Sequence, residues 1–259
     1  MRVAALRAAR VDATVRGRKS SVSTAPAHRC LLLLLAALVA CEKAETGPPR
    51  RDILGTEKKI YSQFDEELII RDFFQDRRGG FFLDVGAADP DVNNTTYYLE
   101  KNLGWKGIAV DAVVDYSVLW QMKRPHSLFF NYLVTDHAGT MDNFYKAGVR
   151  TLSSTMKDRM WGDQKVDSVE VQVPTITLTK LLDDNHVAHI DLVSMDIEES
   201  EPQALAGFDI ERFRPDLVCI EAVERVQPKI QAYFDAHGYE RIERYTPHDQ
   251  VNWYFTPKK

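Results

Sequence analysis

Residues 81–89 read Phe-Phe-Leu-Asp-Val-Gly-Ala-Ala-Asp, an apolar run that carries an acidic residue near its end and then breaks into small residues. The run follows the breaker pair Gly79-Gly80, as expected for a buried β-strand. Gly86 and the two alanines after it let a ligand approach the backbone closely, as nucleotide-like cofactors do at the carboxyl edge of a parallel sheet. Taken alone, the stretch is equally compatible with an α/β protein that binds nothing there.

A second strand with a terminal acid follows. Residues 97–103 have helical spacing that Gly104 ends, and residues 107–111 form another apolar run that closes on Asp111. In doubly wound folds, an acid at the end of the second strand accepts hydrogen bonds from ribose hydroxyls. The dinucleotide fingerprint G-x-G-x-x-G is absent, and Asp89 would repel a pyrophosphate. The pattern favours a cationic, phosphate-free adenosyl cofactor, and a nucleotide-dependent oxidoreductase is the less favoured alternative.

The chain resembles the FkbM-type S-adenosylmethionine-dependent methyltransferases from about Tyr61 to Phe255. The matching pieces are residues 80–89, Asn93-Asn94-Thr95, 98–107, Arg124-Pro125, Ser153-Ser154, 174–178, 191–198 and Ile220-Glu221. Within them, the Leu-Glu-Lys and Gly-Trp-Lys-Gly runs are not general features of Rossmann-like sheets. The resemblance implies an α/β, Rossmann-like class I methyltransferase fold, with a mostly parallel twisted sheet and an antiparallel closing strand.

The resemblance also implies where the ligands bind: the cofactor over the first two strands and the acceptor over the fourth. We expect the S-adenosyl-L-methionine site to include five residues, namely Asp84, Gly86, Ala87, Asn94 and Asp111. In the simplest interpretation, the polar run that contains Asn94 also caps the first helix of the domain.

The chemistry is expected among the acids that follow the apolar strand at residues 190–195. Methyl transfer is an in-line displacement at a sulfonium, so the protein aligns the acceptor and removes the proton of an attacking hydroxyl. Asp196, at the strand end, and Glu198, two residues on, are the expected catalytic residues. Glu199 and Glu201 better suit a structural role at the N-terminus of the next helix.

Two further expectations concern this edge. Glu221, at the end of the fifth strand, either lines the acceptor pocket or holds a loop. No metal set is expected, because the seven histidines are scattered and none stands at ligand spacing from another. The polar loop at Ser153-Ser154 lies between strands and is placed to cover the site.

Three positions depart from the family pattern: Pro90 and Glu199 stand where the family has glycine, and Ala112 stands where it has proline. Proline fixes φ and removes an amide donor, and glutamate resists the positive φ that glycine adopts. These departures keep a second hypothesis open, a lipid-anchored, non-catalytic binding protein with a degenerate methyltransferase fold.

The first residues differ in composition from the rest. Before residue 30 the chain has seven basic residues and one acidic residue, a net charge of +6. Because the whole chain has a net charge of −5, the remainder has a net charge of −11. The Leu-rich segment that ends at Cys41 is too short to span a membrane comfortably and resembles a lipoprotein signal. We therefore expect a basic leader and signal at 1–41, cleaved before Cys41, a flexible linker at 42–56 and the methyltransferase domain at 57–259.

The sequence as a whole predicts an S-adenosylmethionine-dependent methyltransferase that methylates a hydroxyl oxygen of a small molecule or sugar. The acidic domain offers no evident nucleic-acid surface. The expected location is the membrane, through the lipoprotein-like signal, and the alternative is the cytoplasm if the true start codon lies downstream.

Overall fold

A computed structural model describes residues 49–148, 153–157, 160–161, 164–165 and 167–259. The predicted leader at 1–41, with Cys41, lies outside these ranges. No helix within them is long and apolar enough to cross a membrane. Arg50–Lys259 form one compact unit.

The described helices are α1 (Ile53–Thr56), α2 (Glu66–Phe74), α3 (Tyr97–Leu103), α4 (Ser117–Lys123), α5 (Leu178–Asp184), α6 (Glu201–Ala206), α7 (Ile210–Phe213) and α8 (Gln227–Ala236). Single 3₁₀ turns lie at Val114–Tyr116 and Glu243–Tyr245. The strands are β1 (Phe81–Val85), β2 (Lys106–Asp111), β3 (Ser127–Asn131), β4 (Leu133–Val134), β5 (Met141–Ala147), β6 (Met160–Trp161), β7 (Gln164–Lys165), β8 (Ser168–Ile176), β9 (Leu192–Met195), β10 (Leu217–Glu221), β11 (Tyr239–Arg241) and β12 (Asn252–Pro257).

A seven-stranded sheet forms the centre, in the order β11-β12-β10-β9-β1-β2-β3. The strands from β10 to β3 in this order pair in parallel, whereas β12 is antiparallel to both β10 and β11. The helices that alternate with the parallel strands cover both faces. The α/β architecture expected from the sequence, with its antiparallel closing strand, is confirmed.

The pleat of β1 divides its side chains between the two faces of the sheet. Phe82 packs on one face with Trp105 and the residues of α2 and α3, whereas Leu83 and Val85 pack on the other with residues of α5, α6 and α8. Both faces are therefore buried, which explains why the strand reads as a continuous apolar run rather than an alternating one.

A smaller sheet, of order β4-β8-β5, is inserted after β3. The sequence predicts one strand over residues 128–134 and an edge strand over 166–173 that ends at Pro174. In the structure the first stretch divides between two sheets as β3 and β4. The second, β8, is the central strand of the insert and continues through Pro174 to Ile176. Proline is tolerated because it lies where pairing with β5 ends and pairing with β4 begins one residue later.

The second half of the predicted linker at 42–56 packs against the rest of the domain. Residues from Arg50 onward belong to the compact unit. Ile53 is fully buried, the side chain of Asp52 accepts a hydrogen bond from the Gly55 amide, and Arg51 forms an ion pair with Asp76 at 2.8 Å. Burial of an apolar residue and a capped turn stabilise this segment against the end of α2.

Candidate cofactor and acceptor site

The candidate site lies at the carboxyl edge of the parallel strands. Because β1, β2, β9 and β10 run in the same direction, the residues at their carboxyl ends meet at one edge of the sheet. These residues are Gly86, Asp111, Asp196 and Glu221. The Asp196 amide donates to the Val85 carbonyl at 3.0 Å, so the turns after β1 and β9 are joined directly.

Gly86 is required by the backbone of its neighbour. Its φ is +78°, and a Cβ there would lie 1.8 Å from the carbonyl oxygen of Asp196. The amides of Gly86 and Ala87 both donate to the Val110 carbonyl, which folds the turn over the end of β2. Ala87 itself is buried in an apolar cluster with Phe144. Only glycine fits this φ and this close approach together.

Asp111 joins the turns that follow the first two strands. Its carboxylate accepts hydrogen bonds from the Val113 amide at 2.7 Å and from the Ala88 amide at 3.0 Å. Burial raises the pKa of Asp111 to about 6, as do the nearby charges of Asp84 and Asp196, while the two amides oppose the shift. The side chain stays partly exposed at the edge. The carboxylate of Asp111 therefore retains acceptor capacity for ribose hydroxyls.

The structure places two of the expected cofactor residues inside the protein. Asp84 precedes the last residue of β1, so the pleat turns its side chain toward α3, where it accepts from the Thr96 hydroxyl at 2.7 Å. Burial raises the pKa of Asp84 to about 6. Asn94 is 3% exposed, and its side-chain amide donates to the carbonyls of Ala87 and Asp89, at 3.1 Å each. Both residues shape the turn that carries Gly86.

The N-cap residue of α3 is Thr96, which comes after Asn93-Asn94-Thr95. Its side chain makes no capping bond to the helix and donates to Asp84 instead. The expected capping role of Asn94 is thus replaced by one within the turn, where its Oδ1 accepts from the Thr96 amide at 3.1 Å.

A buried arginine for which the sequence predicts no role binds the turn that follows β1. The Arg124 side chain is fully buried, and its Nε pairs with Glu100 at 2.6 Å. Nη1 donates to the Pro90 carbonyl at 2.9 Å and to Asn94 at 3.0 Å, and Nη2 donates to Thr96 at 3.1 Å. The available signal was the match of Arg124-Pro125 to the family, which named the residue but not its partners.

Pro90 is accommodated by the same contacts. It is buried, its φ is not among the left-handed values, and its carbonyl is the acceptor for Arg124. The amide that proline lacks is replaced in the turn by those of Asp91 and Val92, which donate to the Asp89 side chain at 3.1 Å. Besides Gly86, Ala88 and Asn93 have positive φ in this turn, +46° and +53°.

Three carboxylates gather on the acceptor side. Asp196 is exposed, Glu198 and Glu221 are half-buried, and one oxygen from each lies within 4.8 Å of the others. Carboxylate oxygens at this separation have the chemistry of a divalent-cation ligand set. The prediction of no metal set depends on spacing along the chain. Spacing does not reveal this cluster, because Glu221 comes from the adjacent strand β10.

The turn that carries these acids has an unusual backbone. Glu198 and Glu199 both have positive φ, +59° and +73°, a conformation that resists side chains other than glycine. The Glu199 carboxylate pairs with Arg225 at 3.1 Å, and that of Glu201 accepts from the Ile197 amide at 3.0 Å. The contacts of these two acids are therefore with Arg225 and with the turn itself, rather than with the amides of the following helix.

The loop at 153–157 lies against this turn. The Ser154 hydroxyl donates to the Glu198 carbonyl at 3.3 Å, and Thr155 and Ser200 share a hydroxyl hydrogen bond at 2.8 Å. A cavity of about 470 Å³ opens beside Ser200 and Thr155, between the inserted sheet and α6. Its polar lining is Thr135, Asp142, Asn143, Thr155, Ser200 and Gln203, and the lining residues include no lysine or arginine.

The sheet order, the glycine turn after β1 and the acid after β2 define a class I S-adenosylmethionine-dependent methyltransferase. The model of the FkbM methyltransferase domain matches residues 84–242, more than half of the chain. The chain therefore belongs to the FkbM methyltransferase family. Among curated proteins, none matches this sequence.

Several solved methyltransferase structures are distantly similar. A TehB-like S-adenosylmethionine-dependent methyltransferase from Corynebacterium glutamicum is 15% identical, with 80% of this chain and 94% of that chain covered and a TM-score of 0.43. The precorrin-6y C5,15-methyltransferase of Geobacter metallireducens is 11% identical, with coverages of 71% and 82% and a TM-score of 0.39. The 1,6-didemethyltoxoflavin-N1-methyltransferase of Burkholderia thailandensis, solved with 1,6-didemethyltoxoflavin and S-adenosylhomocysteine, is 14% identical, with coverages of 92% and 91% and a TM-score of 0.36.

The residues at the sheet edge fit S-adenosylmethionine. The nearby charges of Asp84 and Asp196 raise the pKa of Asp111, after the larger effect of burial. A sulfonium cation beside them offsets that repulsion. Asp111 has carboxylate oxygens of the kind that accept from ribose hydroxyls, and Gly86 exposes backbone rather than a side chain.

Proposed function

We propose that the protein transfers the methyl group of S-adenosylmethionine to a hydroxyl oxygen of a small molecule or sugar. The observation that carries this proposal is the exposed carboxylate of Asp196, held at the end of β9 where its backbone touches Gly86. A carboxylate in this position both orients a hydroxyl and accepts its proton. Glu198, two residues further on, lies within the same cluster of oxygens.

S-adenosylmethionine supplies an electrophilic methyl group on a sulfonium. In the proposed reaction, Asp111 holds the ribose hydroxyls, and Asp196 accepts the proton that the acceptor hydroxyl loses as it attacks. Glu198 binds a second polar group of the acceptor. Because the three clustered carboxylates repel anions, we expect acceptors without phosphate or carboxylate groups near the reacting hydroxyl.

The cavity beside Ser200 supports a hydroxylated acceptor. Its volume of about 470 Å³ is in the range of small-molecule pockets, and hydroxyl and amide side chains supply most of its polar lining. Such groups pair with the donors and acceptors of an uncharged sugar or polyol. Ser200 stands one residue from the turn that carries Glu198, so an acceptor in the cavity would extend toward the proposed base.

The competing function is a binding protein that keeps the fold without turnover. The two consecutive left-handed glutamates in the acceptor turn favour it, because they make the placement of Asp196 and Glu198 depend on a strained backbone. Calorimetric titration of the full chain with S-adenosylmethionine separates the two at the first step. Micromolar binding that Asp111→Ala abolishes, and that the exposed control Asp235→Ala preserves, supports the enzyme. Absence of heat at high cofactor concentration rules it out.

Turnover is measured with methyl-labelled S-adenosylmethionine and a panel of uncharged glycosides, with aliphatic amines and sugar phosphates as comparison acceptors. We expect label in base-stable ether products from the glycosides only. Loss of a general base lowers turnover by about 10²- to 10⁴-fold, so Asp196→Asn should show a decrease of that size with cofactor affinity unchanged. The exposed control Asp184→Asn should retain full turnover. Label in amine products instead would overturn the proposed oxygen specificity.

A further inference from the structure

The turn between β9 and α6 is the most strained part of the candidate site. Glu198 and Glu199 occupy the left-handed region one after the other, which side chains disfavour because Cβ crowds the following carbonyl. Such a conformation persists only where surrounding contacts over-determine it. The contacts that hold this turn therefore also decide where Asp196 and Glu198 point.

Glu201 holds the turn from inside. It is the first residue of α6 and is completely buried, and its Oε1 accepts from the Ile197 amide at 3.0 Å. Its Oε2 is also buried and accepts no hydrogen bond from the described residues. Burial raises the pKa of Glu201 to about 7, while the amides of Glu201, Ile197 and Glu199 act in the opposite direction. The Glu201 carboxylate thus binds the amide of the residue that precedes Glu198 in the strained turn.

The turn also abuts the cofactor-binding glycine. A Cβ at Gly86 would collide with the Asp196 carbonyl at 1.8 Å and approach the Ile197 side chain at 2.9 Å. The backbone of the turn therefore lies directly against Gly86. A change in the turn is therefore felt where the cofactor binds, as well as at the acceptor side.

We propose that Glu201 is a positioning residue for methyl transfer, which keeps the strained turn of Asp196 and Glu198 in place by binding the Ile197 amide. This inference rests on the proposed function of those two acids. Glu201 is buried and acts through the turn rather than on either substrate. The plainer alternative is that Glu201 only places a negative charge at the N-terminus of α6, where acids stabilise the helix dipole.

Two variants separate the positioning role from the helix-dipole role, because one keeps the length of the side chain and the other keeps its negative charge. Glu201→Gln has the same length and an acceptor oxygen for the Ile197 amide but no charge. Glu201→Asp keeps the charge but is one methylene shorter and loses that contact. Positioning predicts that glutamine is the better replacement, whereas a helix-dipole role predicts that aspartate is. Glu211→Gln, in the first turn of α7 and exposed, is the matched control.

The readouts are hydrogen exchange of the Ile197 amide and calorimetric affinity for S-adenosylmethionine, both on the full chain. Loss of one hydrogen bond accelerates exchange by up to about tenfold, so we expect that change in Glu201→Asp, with cofactor affinity weakened about as much. Glu201→Gln and Glu211→Gln should stay within about twofold of the parent chain in both measurements.

A rescue experiment tests the strain directly. Glycine at 199 adopts positive φ freely, so Glu199→Gly introduced into Glu201→Asp should restore most of the lost cofactor affinity. The proposal is overturned if aspartate protects the Ile197 amide as well as glutamate does, if glutamine loses more protection than aspartate, or if Glu199→Gly fails to rescue. Failure of the proposed function is distinguishable, since absent methyl transfer with intact cofactor binding leaves the exchange comparison unchanged.

Discussion

Replacing Arg124 by methionine should destabilise the protein strongly and loosen the cofactor turn. Methionine keeps the apolar stem but removes the guanidinium, which leaves the carboxylate of Glu100 buried without its counter-charge. Breaking a buried ion pair in this way costs about 3–5 kcal/mol. Domains of this kind are stable by about 5–15 kcal/mol, so the variant should remain folded but unfold at a markedly lower urea concentration.

The partner variant makes the argument quantitative. Glu100→Gln removes the charge, and its single amide oxygen can still accept from the His126 amide while its NH2 group donates to the Ser127 hydroxyl. The double variant Arg124→Met with Glu100→Gln buries no unpaired charge and should therefore recover about 2 kcal/mol or more relative to additive single effects. Urea unfolding of the four proteins, followed by circular dichroism, gives this coupling energy. Additivity within about 0.5 kcal/mol would refute the reasoning.

Cofactor binding gives the second readout. Arg124 donates to the Pro90 carbonyl and to Asn94, so its loss frees the turn that carries Gly86. We expect S-adenosylmethionine to bind Arg124→Met at least about tenfold more weakly at a temperature where the variant is fully folded. Arg212→Met is the matched control, because its ion pair with Asp183 is exposed and contributes about 0–1 kcal/mol. Equal cofactor affinity in the two variants would show that the arginine does not position the turn.

Three further predictions follow from other parts of the chain. Gly86→Ala should abolish calorimetric binding of S-adenosylmethionine, because its Cβ would lie 1.8 Å from the Asp196 carbonyl oxygen and the turn must move; undiminished affinity would contradict this. Burial raises the pKa of Glu66 to about 7 from an ordinary 4.5. Between these two pH values the folded state keeps a proton that the unfolded state releases, so the free energy of unfolding should fall as pH rises from 4.5 to about 7. Glu66→Gln should flatten that fall in urea titrations between pH 4.5 and 7, and an unchanged slope would contradict the assignment. Cys41 should incorporate a labelled fatty acid in a bacterial host, Cys41→Ala should not, and an unlabelled cytosolic protein would rule out the lipoprotein signal.

The fold was predictable because its elements have strong local signals. The helix at Tyr97–Leu103 was expected with those bounds, since Gly104 adopts the left-handed conformation that ends it. The inserted sheet was harder to read. Residues 128–134 look like one strand in the sequence, and only the pairing of Leu133 and Val134 with β8 places these two residues in a second sheet.

The site was predictable to the level of strand ends but not of side-chain direction. Asp111 and Asp196 close their strands at the edge, as expected, and the departure at Glu199 was identified correctly as a position of positive φ. Asp84 was expected to face the cofactor, but the pleat directs it toward Arg124, whose partners are far apart in sequence. The clustering of Glu221 with Asp196 depends on strand order, which no local pattern encodes.

The direction of β12 determines where a fusion partner or a surface can be linked to the compact unit. Asn252 pairs with Glu221 at the site edge, and the strand then runs away from it to Pro257. At the other end of the compact unit, Arg50 contacts Asp72 near the end of α2. A few residues after α2, Arg77 forms an ion pair with Asp191, which lies just before β9. Both ends of the unit therefore emerge on the side opposite the cofactor and acceptor. A fusion partner, an affinity tag or a surface linked at either end would leave the reactive edge facing the solution.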